Sequence, residues 1–598
     1  MLIHINSIAR FFLVFLATTG IIAAQVQEAP SWARGMVWYL IMPDRFENAD
    51  TENDATTSDL FGDETVSWSI SSWTDNWYKR SVEEVTMHDS FYPAALLRQY
   101  GGDFEGIRRR LDYLDSLGVT GIILTPVFKA RSSHKFDFGS LHHMDPRFGP
   151  VSATDTTYIQ REIPHDPMSW YFTSADREFM RLLAEIKRRG MRVLLTTQFV
   201  HCGVDFWAFR DLLEKQEKSA YASWFTVYAW DKPETPFHSE FSYEKMWNID
   251  AFPRFRQDTL GLVQGPREYV FAATRRWMDP DGDGDPSDGI DGWCVDLTSE
   301  LPVEFWKQWA EHCRSINPEV LLVNLGKGNG LSAAPFDIDM PSRFGSHLHD
   351  FVLGGRVTST EFDASMMRLR SRTTLSGSDT QFNLIDSHET DRIASMCVNV
   401  GLPYDQRNTV LENASYLIRK PTEHERELQR MILLLQFTLP GAPVIYYGNE
   451  AGMWGADDPD NRKPMLWPGI KHEPEVTYEV NGDPTAYPVV FDSSLFEYYR
   501  TLIQLRKRHF SLKTGDVQTL LLDDVHSLYA FMRSSGSEKI FIVVNAGEET
   551  QVCTLTWLGL PDGVMLVDPI HDVSFHVHRD SVTLVLPPRK ATILVPKI

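Results

Sequence analysis

Cysteine is scarce in this chain. Five occur in 598 residues, Cys202, Cys294, Cys313, Cys397 and Cys553, an odd number with no CxxC spacing. That excludes a cysteine-built zinc site and a dense disulfide framework, while one disulfide of unassigned pairing stays open. Positive charge is short as well: 58 Lys and Arg against 81 Asp and Glu leave a formal net charge of -23. Such a surface repels phosphate backbones and anionic lipid alike, so no nucleic acid is expected as a partner and neutral or cationic ligands fit better. A spanning apolar run is missing too. The stretch from Phe11 to about Ala24 falls short of the ~20 residues a membrane helix needs. With a weakly positive start and small residues behind it, segment 1–24 reads as a cleaved signal peptide, the alternative being an uncleaved anchor. The expectation is a secreted or periplasmic protein with no stable membrane insertion. Asn413-Ala-Ser is a glycosylation sequon that matters only in a eukaryotic secretory pathway.

What the chain does have is core-forming material, 43% apolar and 12% aromatic, enough for a large globular protein of two or three domains. Short apolar or β-branched runs alternate with helical patterns, the mark of parallel strands joined by crossover helices. Eight runs are counted: "MVWYLIM" near 36, "GIILTP" near 121, "MRVLLTTQF" near 191, "GWCVDL" near 292, "EVLLVNL" near 319, "FDIDM" near 336, "FNLID" near 382 and "PVIYYG" near 443. Amphipathic stretches such as "FEGIRRRLDYLDSLG" and "DREFMRLLAEIKRRG" lie between them, each closed by a glycine suited to a helix C-terminus.

This order predicts an α/β fold, a (β/α)8 TIM barrel spanning 30–510, with chemistry on the loops after the strand C-termini. Residues 203 to about 264, rich in aromatics including Trp207, Trp224, Trp230 and Trp247, are too long for a simple connection. They predict a subdomain inserted after the third strand, its tryptophans divided between core and cleft wall. From 511 to 598 the pattern changes to alternating strands and turns ("SLYAFMR", "KIFIVVNAG", "SVTLVLP"), an appended antiparallel β-sandwich domain.

In that order "MVWYLIMPDRFENAD", "GGDFEGI", "LDYLDSLGVTGIILTP", "HKFDFGSLHHMDPRFG", "GIDGWCVDL", "FNLIDSHETDR" and "GAPVIYYGNEAGMWGADDPDNRKPMLW" resemble the α-amylase family, glycoside hydrolase family 13, of neopullulanase-like type, over nearly the whole mature chain. The resemblance implies a scaffold for retaining cleavage of α-glucosidic bonds, which takes one carboxylate as nucleophile and a second as general acid and base. Asp296 matches the nucleophile. The neighbouring positions depart from the family: Cys294 stands where an arginine would pair with that nucleophile, and Leu325 where the general acid would be. No Asp or Glu lies between Glu319 and Asp337. Glu389 replaces the aspartate after strand seven that stabilises the transition state, and Thr196 opens "TTQFVH" where the family carries an acid. Proton transfer of the kind Leu325 cannot supply is worth ~100- to 10,000-fold.

Away from that centre the resemblance implies retained sugar-binding groups: Phe136 and Asp137, His201, His388 and Arg392, and the pair Asp458 and Arg462. It further implies a calcium site from Asn48, Asp50, Asn53 and Asp54 in "ENADTEND" with Gly101 and Asp103 in "GGD". A second acidic loop, "DPDGDGDPSD" from Asp279 to Asp288, has alternating carboxylates like half an EF-hand without the closing glutamate; calcium and a solvated turn are both open readings. The functional expectation is a protein of α-glucan or maltooligosaccharide metabolism with lost or strongly reduced hydrolysis and a retained sugar cleft. The alternatives are an active glycoside hydrolase or transglycosidase with a rearranged site, and a non-catalytic interaction subunit with a protein partner.

Overall fold

Every one of the eight apolar runs becomes a strand. The structure, a computed structural model, describes residues 28–62, 65–232, 234–235, 240–326, 335–339, 343–371 and 379–597, so the signal peptide expected at 1–24 lies outside the described residues. The strands are β1 (Trp38–Ile41), β2 (Gly121–Leu124), β3 (Arg192–Thr197), β4 (Gly292–Val295), β5 (Leu321–Asn324), β6 (Ile338–Asp339), β7 (Phe382–Leu384) and β8 (Ala442–Tyr446). They form one parallel sheet in the order β6-β5-β4-β3-β2-β1-β8-β7. Because β1 pairs with both β2 and β8, the sheet curls until the first and last of these eight strands are neighbours, which is the expected (β/α)8 barrel. All residues of β1, β2, β4, β5 and β8 are buried. Burial on both faces explains why these runs read as continuously apolar rather than alternating.

The helix Ser174–Arg188 shows how sequence sets the outer layer. Thr173 and Asp176 exchange capping bonds at its start, at 3.1 and 2.9 Å, and Phe179, Leu182, Leu183 and Ile186 repeat at helical spacing to face the sheet. The stretch "FEGIRRRLDYLDSLG" is not one helix. It breaks at Arg110 into Phe104–Arg109 and Leu111–Leu117, and the Arg110 guanidinium bonds Glu47 at 2.9 Å while lying 4.0 Å over the Trp467 ring. A side chain anchored on two other segments holds the backbone out of helical register there.

The excursion after β3 carries the helix Trp207–Lys215 and two short hairpins, and it returns to pair with its own root: Cys202 N donates to Pro253 O at 3.0 Å and Phe255 N to Val200 O at 3.0 Å. Trp207 and Trp224 pack with Phe206, Tyr221 and Tyr269 as its core, whereas Trp247 is exposed.

At the C-terminus, β9 (Asp516–Asp523), β10 (Leu528–Ser535), β11 (Glu538–Asn545), β12 (Gln551–Thr556), β13 (Met565–Asp568), β14 (Val573–His576), β15 (Ser581–Leu586) and β16 (Lys590–Lys597) pair antiparallel. A six-stranded sheet, β9-β10-β11-β16-β13-β14, covers the pair β12-β15. The period of two sorts its side chains cleanly: Leu528, Ala530, Met532, Phe541 and Val543 join the sandwich core, while Tyr529, Phe531, Ile540, Ile542 and Val544 join the core of the barrel. All five cysteines are buried free thiols. No helix among the described residues is long and apolar enough to cross a membrane.

Candidate active site

The C-terminal mouth of the barrel holds a pocket into which strands β3, β4, β5 and the β7 loop deliver Thr196, Cys294, Asp296, Leu325, His388 and Glu389, with Phe136 at the side. Strand register explains the convergence. Thr196 lies opposite Cys294 and Val295 opposite Asn324, so side chains two apart on β4 and just past the end of β5 share one face. Leu40, Ile123, Phe382, Leu384 and Val444 make the floor.

Cys294 and Leu325, which share the pocket with Asp296, bring it no charge. Burial pushes the Cys294 thiol well above its ordinary range, so it meets Asp296 as a neutral, weakly donating group where an arginine would bring charge. No Arg or Lys among the described residues lines the pocket. Backbone groups meet Asp296: its N–H donates to Thr197 O at 2.9 Å, and its Oδ1 accepts from Leu297 N at 2.6 Å. Leu297 takes the left-handed region, φ 53°, to make that turn, a conformation a non-glycine residue adopts at a cost. Leu325 lines the pocket as an apolar wall with its N–H on Val295 O. The Thr196 hydroxyl is buried, faces this space and has no protein partner. Glu389 follows Ser387, whose Oγ accepts the Glu389 N–H at 3.1 Å. The arrangement offers two carboxylates, Asp296 and Glu389, to hydroxyl groups of a ligand; among the described residues, β5 and its end bring no acid.

The rim is better furnished. Phe136 stacks on His388 at 5.8 Å with planes 16° apart, a flat pair of the kind that receives a pyranose ring. Arg462 braces His388 by donating from Nε to its carbonyl at 2.9 Å and pairs with Asp458 at 3.0 Å. Asp137 accepts from Ser132; burial pushes its carboxyl up, but the nearby His134, Ser132 and Lys135 hold it below the usual range. His201 is buried, its ring 4.8 Å from Phe252 and 5.8 Å from the exposed Trp247, and burial pulls it down to about 4, so it is neutral. Its Nε2 has no protein partner. Arg392 sits apart from the pocket. It is fully buried, donates to Asn461 O, Tyr447 O and Asn449 Oδ1 at 2.8–3.0 Å, and lies over the Tyr446 and Tyr447 rings, knitting the β7 loop to the β8 loop.

Three groups were not singled out in the sequence. Tyr404 lines the pocket from a long loop and donates to Ile385 O at 2.6 Å. Gln198 fastens the β3 end to the Phe136 segment through Phe136 O at 3.0 Å and to His201 O at 2.8 Å. His134 sits among Asp137, Arg462 and Asp458. Of these only Gln198 carried a signal, since it occupies a strand end where polar side chains are expected to act.

Behind the rim, the loop after β1 gathers oxygen. Asn48 donates to Asp54 Oδ1 at 2.7 Å, while the Asn48 and Asn53 Oδ1 atoms are buried without partners. Burial is the main reason that the Asp54 and Asp103 carboxyls are each raised to about 6. Gly101, at φ 74°, passes so close that a Cβ would lie 2.0 Å from Asp54 Oδ1. Asp103 accepts the Ala49 and Asp50 N–H groups at 3.0 and 2.9 Å and caps the helix Phe104–Arg109 through Gly106, so it holds the loop in place. Unpaired amide oxygens beside desolvated carboxylates form a donor set that suits a hard cation.

The catalytic-domain model of the α-amylase family matches residues 40–161 and 171–515. The chain belongs to the α-amylase family. This α-amylase-family chain is similar to neopullulanase 2 of Thermoactinomyces vulgaris, 30% identical over 577 residues, covering 96% of this chain and 79% of that one. It is 27% identical to a cyclomaltodextrinase of Thermoanaerobacter pseudethanolicus, with 88% and 73% covered. In fold, the α-amylase-family chain superposes on the type III pullulan hydrolase of Thermococcus kodakarensis with a TM-score of 0.68 at 23% identity, covering 95% and 82%. With cyclic α-maltosyl-(1→6)-maltose hydrolase of Arthrobacter globiformis the TM-score is 0.64 at 21% identity, covering 95% and 100%.

Proposed function

We propose that this α-amylase-family protein is a secreted or periplasmic binder of α-glucan or maltooligosaccharide whose hydrolysis is lost or strongly reduced. One observation carries the reading: Thr196, Cys294, Leu325 and Glu389, four departures from the family's charge arrangement, line a single pocket with Asp296. Drift would scatter such changes over the barrel. The rim supports a sugar ligand, with the Phe136 and His388 pair and, tied to the Phe136 segment through Gln198, the neutral His201 beside exposed Trp247. The relatives' names, neopullulanase and cyclomaltodextrinase, point to α-glucans as the ligand class.

A second reading is an active hydrolase or transglycosidase with Asp296 as nucleophile and Glu389 as its partner, favoured by both carboxylates lining the same pocket. One assay separates the two. Purified protein is incubated with maltooligosaccharides and starch, and new reducing ends are compared with an Asp296→Ala control. Equal, background-level release is expected; turnover abolished by the substitution would sink the binder reading. Titration with maltoheptaose then reads the cleft directly, and flat heats would favour an interaction subunit instead.

The loop around Asn48 is read as a calcium site. Asn48, Asp50, Asn53, Asp54, the Gly101 carbonyl and Asp103 would hold the ion. Bound there, calcium would neutralise desolvated carboxylates and tie the β1 loop to the segment that leads into the helix Phe104–Arg109.

A further inference from the structure

The loop between the helix Gln264–Met278 and β4 lies at the barrel end opposite the pocket, because β4 runs from this loop toward Asp296. Asp279, Asp281 and Asp288 each place a carboxylate oxygen within 4.8 Å of the others. An acidic loop alone means little, since solvated turns are rich in aspartate. Here, however, Asp279 is only 6% exposed, and its Oδ1 is buried in the cluster without a hydrogen-bond partner; Asp288 Oδ1 is likewise unpartnered. Burying an uncompensated carboxylate costs several kcal/mol per ion in typical proteins, so an inward oxygen left without a partner is a place for a cation. Lys187, a nearby cation among the described residues, feels the Asp288 charge, but its ammonium donates to Ser287 O at 2.8 Å and pairs with Asp291 at 3.7 Å rather than bonding the cluster. Burial, and then the charges of Asp281 and Asp279, push the Asp288 carboxyl above its ordinary range.

The cluster of His142, His143 and Glu162 is a useful contrast. There His142 Nδ1 meets Tyr269 OH at 2.8 Å, and His143 bonds Asp176 and Glu162 at 2.8 and 2.9 Å. Those groups satisfy one another, and a cation would relieve nothing. The aspartate loop does the reverse. Its turns are stitched internally, Asp283 N to Asp281 Oδ1 at 3.1 Å, Asp285 N to Asp283 Oδ1 at 2.7 Å and Ser287 N to Asp285 Oδ1 at 3.0 Å, while oxygens of Asp279 and Asp288 are left pointing inward. All the donors are hard oxygens, which suits calcium and not a softer metal.

We propose that this loop binds one calcium ion through the carboxylates of Asp279, Asp281 and Asp288, a site separate from that around Asn48. The ion clamps the end of the helix Gln264–Met278 to the start of β4, the strand that carries Cys294 and Asp296.

The full-length protein, stripped with chelator and dialysed, is titrated with calcium alone, and bound metal per chain is counted by equilibrium dialysis. The Asp279→Asn/Asp288→Asn variant is expected to bind one equivalent fewer than wild type, whatever the Asn48 loop does. An Asp50→Asn/Asp54→Asn variant must keep the equivalent assigned here, so failure of one site is distinguishable from failure of the other. Should the paired variant fold poorly by circular dichroism, Asp281→Asn at an exposed position is expected to weaken one class of sites at least tenfold. Unchanged stoichiometry in a folded paired variant, unchanged affinity in Asp281→Asn, or equal displacement by magnesium would overturn the proposal.

Discussion

The pocket over β3, β4 and β5 and the loop around Asn48 sit at the same end of one barrel and have been treated in opposite ways. In the pocket, the positions that would arrange charge hold Thr196, Cys294 and Leu325, and the remaining carboxylates, Asp296 and Glu389, face an apolar floor. In the loop, every oxygen-bearing side chain is in place, down to buried amide oxygens with no partner in the protein. Catalysis depends on a few groups poised to move protons and stabilise charge, whereas ion binding and folding depend on a loop shape that many contacts hold. On the proposed reading, the first can be lost while the second is kept.

The sharpest way to break this comparison is to put the chemistry back. A Cys294→Arg/Leu325→Glu/Glu389→Asp variant should raise release of reducing ends from maltoheptaose by ~100- to 10,000-fold over wild type, the range a positioned acid supplies. A flat result would show that the pocket has lost more than three side chains. Next in size is the metal: excess chelator should lower the melting temperature by several degrees, since an ion present at 100 times its Kd stabilises by about 2.7 kcal/mol. An unchanged melt would remove both loops from the calcium account.

A subtler test uses pH. The Asp54 carboxyl, raised to about 6 in the fold against an ordinary 3.8, penalises the metal-free fold above pH 6. That penalty fades as pH falls through 6 and is gone by the unfolded value. In chelator, Asp54→Asn should therefore melt higher than wild type at pH 8 and converge with it near pH 4; in calcium the order at pH 8 should invert, because a charged ligand is missing. Parallel curves in both buffers would refute the desolvated-ligand picture. Smallest is the sugar contact: Phe136→Ala should weaken maltoheptaose binding a few-fold to about tenfold, as loss of one aromatic contact worth ~0.5–1.5 kcal/mol implies. Equal heats would move the ligand away from the Phe136 and His388 pair.

The barrel was legible because its strands are buried on both faces and leave unbroken apolar runs; all eight sit where those runs do. The convergence of Thr196, Cys294, Asp296, Leu325 and Glu389 was legible as well, since the strand ends of a parallel sheet curled into a barrel face one mouth. Arg392 was harder to read. An arginine reaching a ligand and one clamping two loops from within look the same in sequence, and only its bonds to Asn461, Tyr447 and Asn449 distinguish them. Tyr404 comes from a connection without periodicity, so nothing local announced that it would reach the pocket. The break at Arg110 was hidden because the partners that cause it, Glu47 and Trp467, are remote in the chain.

Across β10 and β11, the six-stranded sheet at the C-terminus has no wet side. Its even-numbered and odd-numbered residues on β10 serve two different interiors, so it is a party wall shared by two rooms. A chain cut after Gly515 would strip the barrel of the cover supplied by Tyr529, Phe531 and Ile542, and the severed piece would carry the same stripe into water. Neither half could be passed between proteins as a cassette, and any transplant of the barrel has to bring its wall with it.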